Sequence, residues 1–161
     1  MKKPEGTRAE KATEFLGKIL RLMELKAELQ VHEEAEQISI EVQGEDLGVL
    51  IGTRGRTLNA LQALVNLAAN KGEEEWRKVI IDVGGYREQR RRSLEEYAQR
   101  MAERAIAEGD AVVLEPMNSF ERRVIHAALT GSELVETSSE GEEPLRRVII
   151  SPRRQEKPRG T

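Results

Sequence analysis

The chain has 161 residues, no cysteine and two histidines, and its 26 basic and 29 acidic residues give a net charge of −3. Disulfides and thiolate metal sites are excluded, an imidazole-built zinc centre lacks ligands, and the acidic balance argues against non-specific coating of nucleic acid. No apolar run approaches the ~20 residues that span a bilayer, and no apolar signal segment follows the basic start MKKPEGTRAEKATEF, so a cytoplasmic protein is expected.

Residues 8–28 read as a helix, with Phe15, Ile19, Leu22 and Met23 at three- and four-residue spacing and Leu16, Leu20 and Leu25 widening the face. Two extended segments follow, Glu28–Glu33 and Gln37–Gln43. The second alternates Ile38, Ile40 and Val42 with polar residues, and the short polar link predicts an antiparallel hairpin. Glu45–Ile51 makes a short helix that runs into IGTRGR. A longer helix from Arg56 or Thr57 places Leu58, Leu61, Leu64, Val65 and Ala68 on one side and stops at Asn70, Lys71 and Gly72. Trp76–Val83 resumes as a strand.

Gly84–Gly85 is the hinge mid-chain, separating domains expected over 8–84 and 85–152. Tyr86–Glu108 is a long helix burying Leu94, Tyr97, Ala98, Met101, Ala105 and Ile106, with Gly109 as its cap. Strand Ala111–Glu115 leads to a helix N-capped by Asn118 or Ser119 and ended near Gly131. Extended segments Glu133–Ser138 and Arg146–Ser151 flank the turn-like SSEGEEP, and 153–161 reads as a basic tail.

Two short motifs carry chemistry. Gly52-Thr53-Arg54-Gly55 joins two helices. Glycines let backbone approach a ligand closely, the following helix start favours an anion, and Arg54 and Arg56 add charge. The bland reading is a helix–turn–helix corner. Arg122 and His126 lie one turn apart on a helix face, where a surface ion network or an edge-packed histidine is the plain alternative. The run Arg87, Arg90, Arg91 and Arg92 opens the long helix. There arginines oppose the helix dipole, so it is either a solvated face or a phosphate track.

The order helix, strand, strand, helix, GxxG, helix, strand resembles the KH domain in its type II arrangement. Residues 86–152 resemble the R-3-H domain, whose name refers to an Arg and a His at this spacing. The fold class implied is α+β in two small domains: a KH domain with a three-stranded sheet and helices on one face, then a small sheet packed on two helices. By resemblance, Gly52, Thr53, Arg54 and Gly55, aided by Arg56, clamp the backbone of about four nucleotides, with Val49, Leu50, Ile51 and Leu58 near an apolar groove for bases. Arg122 grips a phosphate through its planar fork, His126 contacts phosphate, sugar or base, and Arg123, Arg146 and Arg147 assist. Thr53 stands where a lysine is common, and Asn118-Ser119 where Asn-Pro is expected.

Together the domains resemble the Jag family of bacterial RNA-binding proteins, also called KhpB or SpoIIIJ-associated. The resemblance implies single-stranded RNA (or single-stranded DNA) as ligand, pairing with a small KH-domain protein or with itself, and a regulatory role tied to cell elongation, division and sporulation. It implies no cofactor and no membrane span. Many members carry an N-terminal Jag domain, for which these residues leave no room. An enzyme has little support, since Ser93, Ser119 and Ser132 have no recognisable base partner and no P-loop is present. A pure protein-interaction module is the remaining alternative.

Overall fold

The computed structural model describes residues 6–153, and the chain divides between Glu88 and Gln89 into two compact α+β units, each with its own core. The expected tail beyond Arg153 lies outside the described residues. No helix among the described residues is long and apolar enough to cross a membrane.

In the first unit α1 (Arg8–Leu22) starts from a capping box, Thr7 and Glu10 satisfying each other's N–H groups. It ends six residues before the expected 28. Glu24 takes a left-handed φ of 57°, and the N–H groups of Glu24 and Leu25 return to the carbonyls of Arg21 and Leu20. That is a Schellman stop without glycine; it folds Leu25 back on the core and lets Ala27 open a strand. β1 (Ala27–Glu33) and β2 (Gln37–Gly44) are antiparallel, and β3 (Lys78–Val83) runs parallel to β2, giving the order β1-β2-β3. β3 starts after Trp76, which is exposed rather than in the strand.

Helices α2 (Gly48–Ile51) and α3 (Arg56–Asn70) join α1 on one face of this sheet, over Ile38, Ile40, Val42, Val79 and Ile81. Of the expected α3 face, Leu58, Leu61 and Val65 are buried, whereas Leu64 is exposed and Ala69 takes its place in the core. The outer edge of β3 is closed by an amide ladder on α3. Asn70 exchanges hydrogen bonds with both backbone groups of Arg77, Asn66 does the same with Val79, and Gln62 Oε1 accepts from Ile81 N at 3.0 Å. Three amides spaced four residues apart on one helix line match alternate outward-facing residues of a strand, so this edge leaves no backbone group unpaired at those positions.

Helix α4 (Tyr86–Glu108) has the expected bounds, its first three residues belonging to the first unit and the rest to the second, and Gly109 closes it at φ 67° with its N–H on the Ala105 carbonyl. Its buried line is Leu94, Ala98, Ala102 and Ala105. Ile106 lies one residue off that line and is exposed, while Tyr97 and Met101 flank it. β4 (Val112–Val113), β5 (Val135–Glu140) and β6 (Arg147–Pro152) form an antiparallel sheet in the order β4-β6-β5. β5 continues through Ser138, Ser139 and Glu140 into the segment expected as a turn; these residues pair with Ile149, Val148 and Arg147. β6 takes in Pro152, and Arg153 is tied by its N–H to the Leu134 carbonyl, so the tail does not start there. Helix α5 (Ser119–Leu129) packs Ile125 and Leu129 into this core from an Asn118–Glu121 capping box, and the expected Asn118 is the cap.

Candidate nucleic-acid interface

The loop between α2 and α3 depends on three left-handed residues. Gly52 has φ 68° and ψ −174°, Arg54 φ 53° and ψ 32°, and Gly55 φ 76° and ψ 14°. A Cβ on Gly52 would lie 2.1 Å from Thr57 Oγ1, and one on Gly55 would lie 2.8 Å from Tyr86 Cε1, so both glycines are required by space as well as by torsion. The result lifts Thr53 and Arg54 into solvent at the start of α3. Gly55 is the N-cap with no side-chain cap bond, and the first turn carries no acidic residue. The positive end of α3 is therefore not neutralised locally, and Arg54 and Arg56 reinforce it. Beside the loop, Val49 is exposed and Ile51 half-buried, whereas Leu50 and Leu58 lie in the core. Leu58, expected at the groove, presents no surface to a ligand.

The second candidate site is built differently from expectation. Arg122 is buried: its guanidinium donates to the Met117 carbonyl at 2.6 Å and pairs with the carboxylate of Glu143, an exposed residue of the β5–β6 loop. His126 has both ring nitrogens engaged, Nδ1 with Thr137 Oγ1 and Nε2 with Ser139 Oγ, each at 2.6 Å. A neutral imidazole suits that pair, donating to one hydroxyl and accepting from the other. Arg123 is exposed, Arg146 donates to the carbonyls of Gly141 and Ser139, and Arg147 is half-buried on β6. Phe120 lies exposed one turn before Arg123 on α5, a stacking surface that sequence alone does not assign to core or ligand.

Burial, and then the neighbouring Arg122 cation, hold the His126 pKa below the usual imidazole range. In the unfolded chain this imidazole takes a proton near pH ~6.5, while the folded unit resists it to lower pH. The unfolded state thus binds more protons in that window, and stability falls as pH falls through it and levels off above it. Urea midpoints for the second unit should decline from neutral pH toward pH ~5, and His126→Gln should flatten that decline.

The arginine run at the start of α4 divides between roles. Arg87 Nε donates to the Ile81 carbonyl and its amino groups to Asn59 and Gln62, which extends the amide ladder along β3. Arg90 grips Glu121 Oε1 at 3.0 and 2.6 Å, and Glu121 is itself buried. Arg87 and Arg90 are therefore internal struts, whereas Arg91 pairs with Glu95 and Arg92 is exposed. Among the described residues no cluster of three or more His, Asp or Glu could hold a metal ion.

Two family models match. The KH domain of KhpA/KhpB covers residues 9–81 and the R-3-H domain residues 92–152, in the expected order. Both are binding rather than catalytic domains. The chain is 41% identical over 155 residues to the RNA-binding protein KhpB of Clostridium symbiosum, covering 95% of this chain and 70% of that protein. It is 34% identical over 142 residues to that of Bacillus subtilis strain 168, covering 87% and 68%. Against the KhpB protein of Lactiplantibacillus plantarum it is 44% identical over 107 residues, 66% of this chain and 33% of the relative.

Proposed function

The chain belongs to the KhpB family, and from that premise we propose that it is a non-catalytic single-stranded RNA-binding protein of the cytoplasm, a post-transcriptional regulator linked to cell elongation, division or sporulation. The loop carries this reading: Arg54 stands exposed in a left-handed conformation that non-glycine residues avoid, on a turn that sets it and Arg56 at the start of α3. One phosphate sits at the start of α3, flanked by Arg54 and Arg56, and bases lie against Val49 and Ile51.

In the second domain a phosphate replaces the Glu143 carboxylate at Arg122. Arg123, Arg146, Arg147 and Arg92 supply further cations, and Phe120 stacks a base. His126 positions α5 against β5 for this grip. Two modest sites on one chain gain affinity by effective concentration when one strand reaches both.

Fluorescence anisotropy with a short single-stranded RNA pool at two salt concentrations tests the reading, with duplex RNA and matched DNA as controls. The Thr53→Asp, Arg54→Asp double variant should bind about tenfold more weakly, with the log–log salt slope shallower by roughly 0.7 for each phosphate that the loop no longer neutralises. Unchanged binding by the folded variant would move the site away from this loop.

A second reading has its own support. Leu64 and Leu67 are exposed with Ala60 and Ala63 along α3, an apolar line suited to a small KH-domain partner. A stable complex with such a protein and no affinity for RNA would favour it.

A further inference from the structure

The two edges of the first sheet differ. The outer edge of β3 is closed by Gln62, Asn66 and Asn70 of its own chain, as described above. β1 is the other edge. Glu34 N–H donates to the Gln37 carbonyl, so every second pair along the hairpin (His32 with Ser39, Gln30 with Glu41, Glu28 with Gln43) exchanges ladder hydrogen bonds. The N–H and C=O groups of Ala27, Leu29, Val31 and Glu33 consequently point outward, and among the described residues no other element bonds to them. On the helix face of this strand, Ala27 and Leu29 are half-buried and Val31 is exposed, beside an open groove against Thr13, Gly17 and Leu20 of α1.

We propose that β1 is a self-pairing edge, at which a second copy of this chain adds its own β1 antiparallel across a two-fold axis at Gln30, joining the two sheets into one. The occupant is argued from the strand itself, because AELQVHE is complementary to its own reversal. A dyad at Gln30 is the one centre that pairs all seven residues of β1. It sets Leu29 opposite the second copy's Val31 on the helix face, with the outward backbone groups of this pair exchanging both hydrogen bonds. On the other face it sets Glu28 opposite His32, a carboxylate facing an imidazole donor, and Gln30 opposite Gln30, where side-chain amides bond reciprocally. No like charges oppose each other within the strand. Shifting the dyad to Val31 would instead set Glu28 against Glu34 and shorten the ladder. Such an interface is isologous and closes at two copies. It is also separate from the clamp loop and from the apolar line on α3, so it does not rest on the RNA-binding reading.

The test is the association state of the full chain by sedimentation equilibrium, with circular dichroism as the check on folding. Wild type should dimerise at micromolar concentrations. Val31→Pro removes an outward N–H without touching a hydrogen bond to β2, and should weaken dimerisation at least about tenfold. His32→Glu should do the same by opposing two carboxylates, and the Glu28→Lys, His32→Glu double variant should restore the dimer by opposing unlike charges. The proposal is overturned if the wild type stays monomeric through the micromolar range. It is equally overturned if Val31→Pro and His32→Glu leave a dimer intact, or if Leu64→Asp with Leu67→Asp alone dissolves it.

Discussion

Arg54→Gly is expected to weaken single-stranded RNA binding about tenfold while leaving the KH unit within about 1 kcal/mol of parental stability. The two effects separate because Arg54 occupies a left-handed conformation, at φ 53° and ψ 32°. Holding a side chain there costs about 1–2 kcal/mol, which glycine would recover, offset by the greater freedom glycine gives the unfolded chain.

Gly52→Ala runs the other way. Its φ of 68° with ψ −174° belongs to a region nearly restricted to glycine, and the new methyl would meet Thr57 Oγ1 at 2.1 Å. A loss of about 3 kcal/mol is expected, together with loss of binding. Adding Thr57→Ala should return only the steric part, which a double-mutant cycle in urea isolates. Parental affinity in Arg54→Gly would remove the clamp role from this loop.

What could be read from residues alone follows from where the signal is local. The ends of α4 fall at Gly85 and Gly109, both at positive φ, and the Asn118 cap is written in its own residue and in Glu121 three positions on. The end of α1 was not readable, because its stop uses a left-handed Glu24 inside a stretch of good helix formers. On α3 the apolar residues run nearly all round, so periodicity could not decide between Leu64 and Ala69 for the core; the position of α1 and the sheet decides it.

The arginines show the same division. Sequence places Arg87 and Arg90 against the helix dipole, where they gain nothing locally. The fold supplies partners outside the helix, the Ile81 carbonyl for one and Glu121 for the other. The pairing of Arg122 with Glu143 was hidden for the same reason, since 21 residues and a strand turn separate them.

Glu143→Gln is expected to tighten RNA binding about fivefold, and Arg122→Ala to abolish the contribution of the second domain while costing about 3 kcal/mol of its stability. The asymmetry comes from burial. Arg122 is 8% exposed, and its removal would leave the Met117 carbonyl unpaired beneath α5. Glu143 has a side chain 57% exposed, so neutralising it changes stability by less than about 1 kcal/mol. Glu143 holds one amino group of Arg122 while the Met117 carbonyl holds the other, so in the proposed site a phosphate would take the place of the Glu143 carboxylate on that one amino group. Gln keeps the shape and removes the charge that competes. Arg122→Lys, which keeps the charge and loses the fork, should stay nearer to parental stability than Arg122→Ala and still bind less well than the parent. Should Glu143→Gln instead loosen binding, or destabilise the domain as strongly as Arg122→Ala, Glu143 is a strut and the phosphate is seated elsewhere, on Arg123 and Arg146.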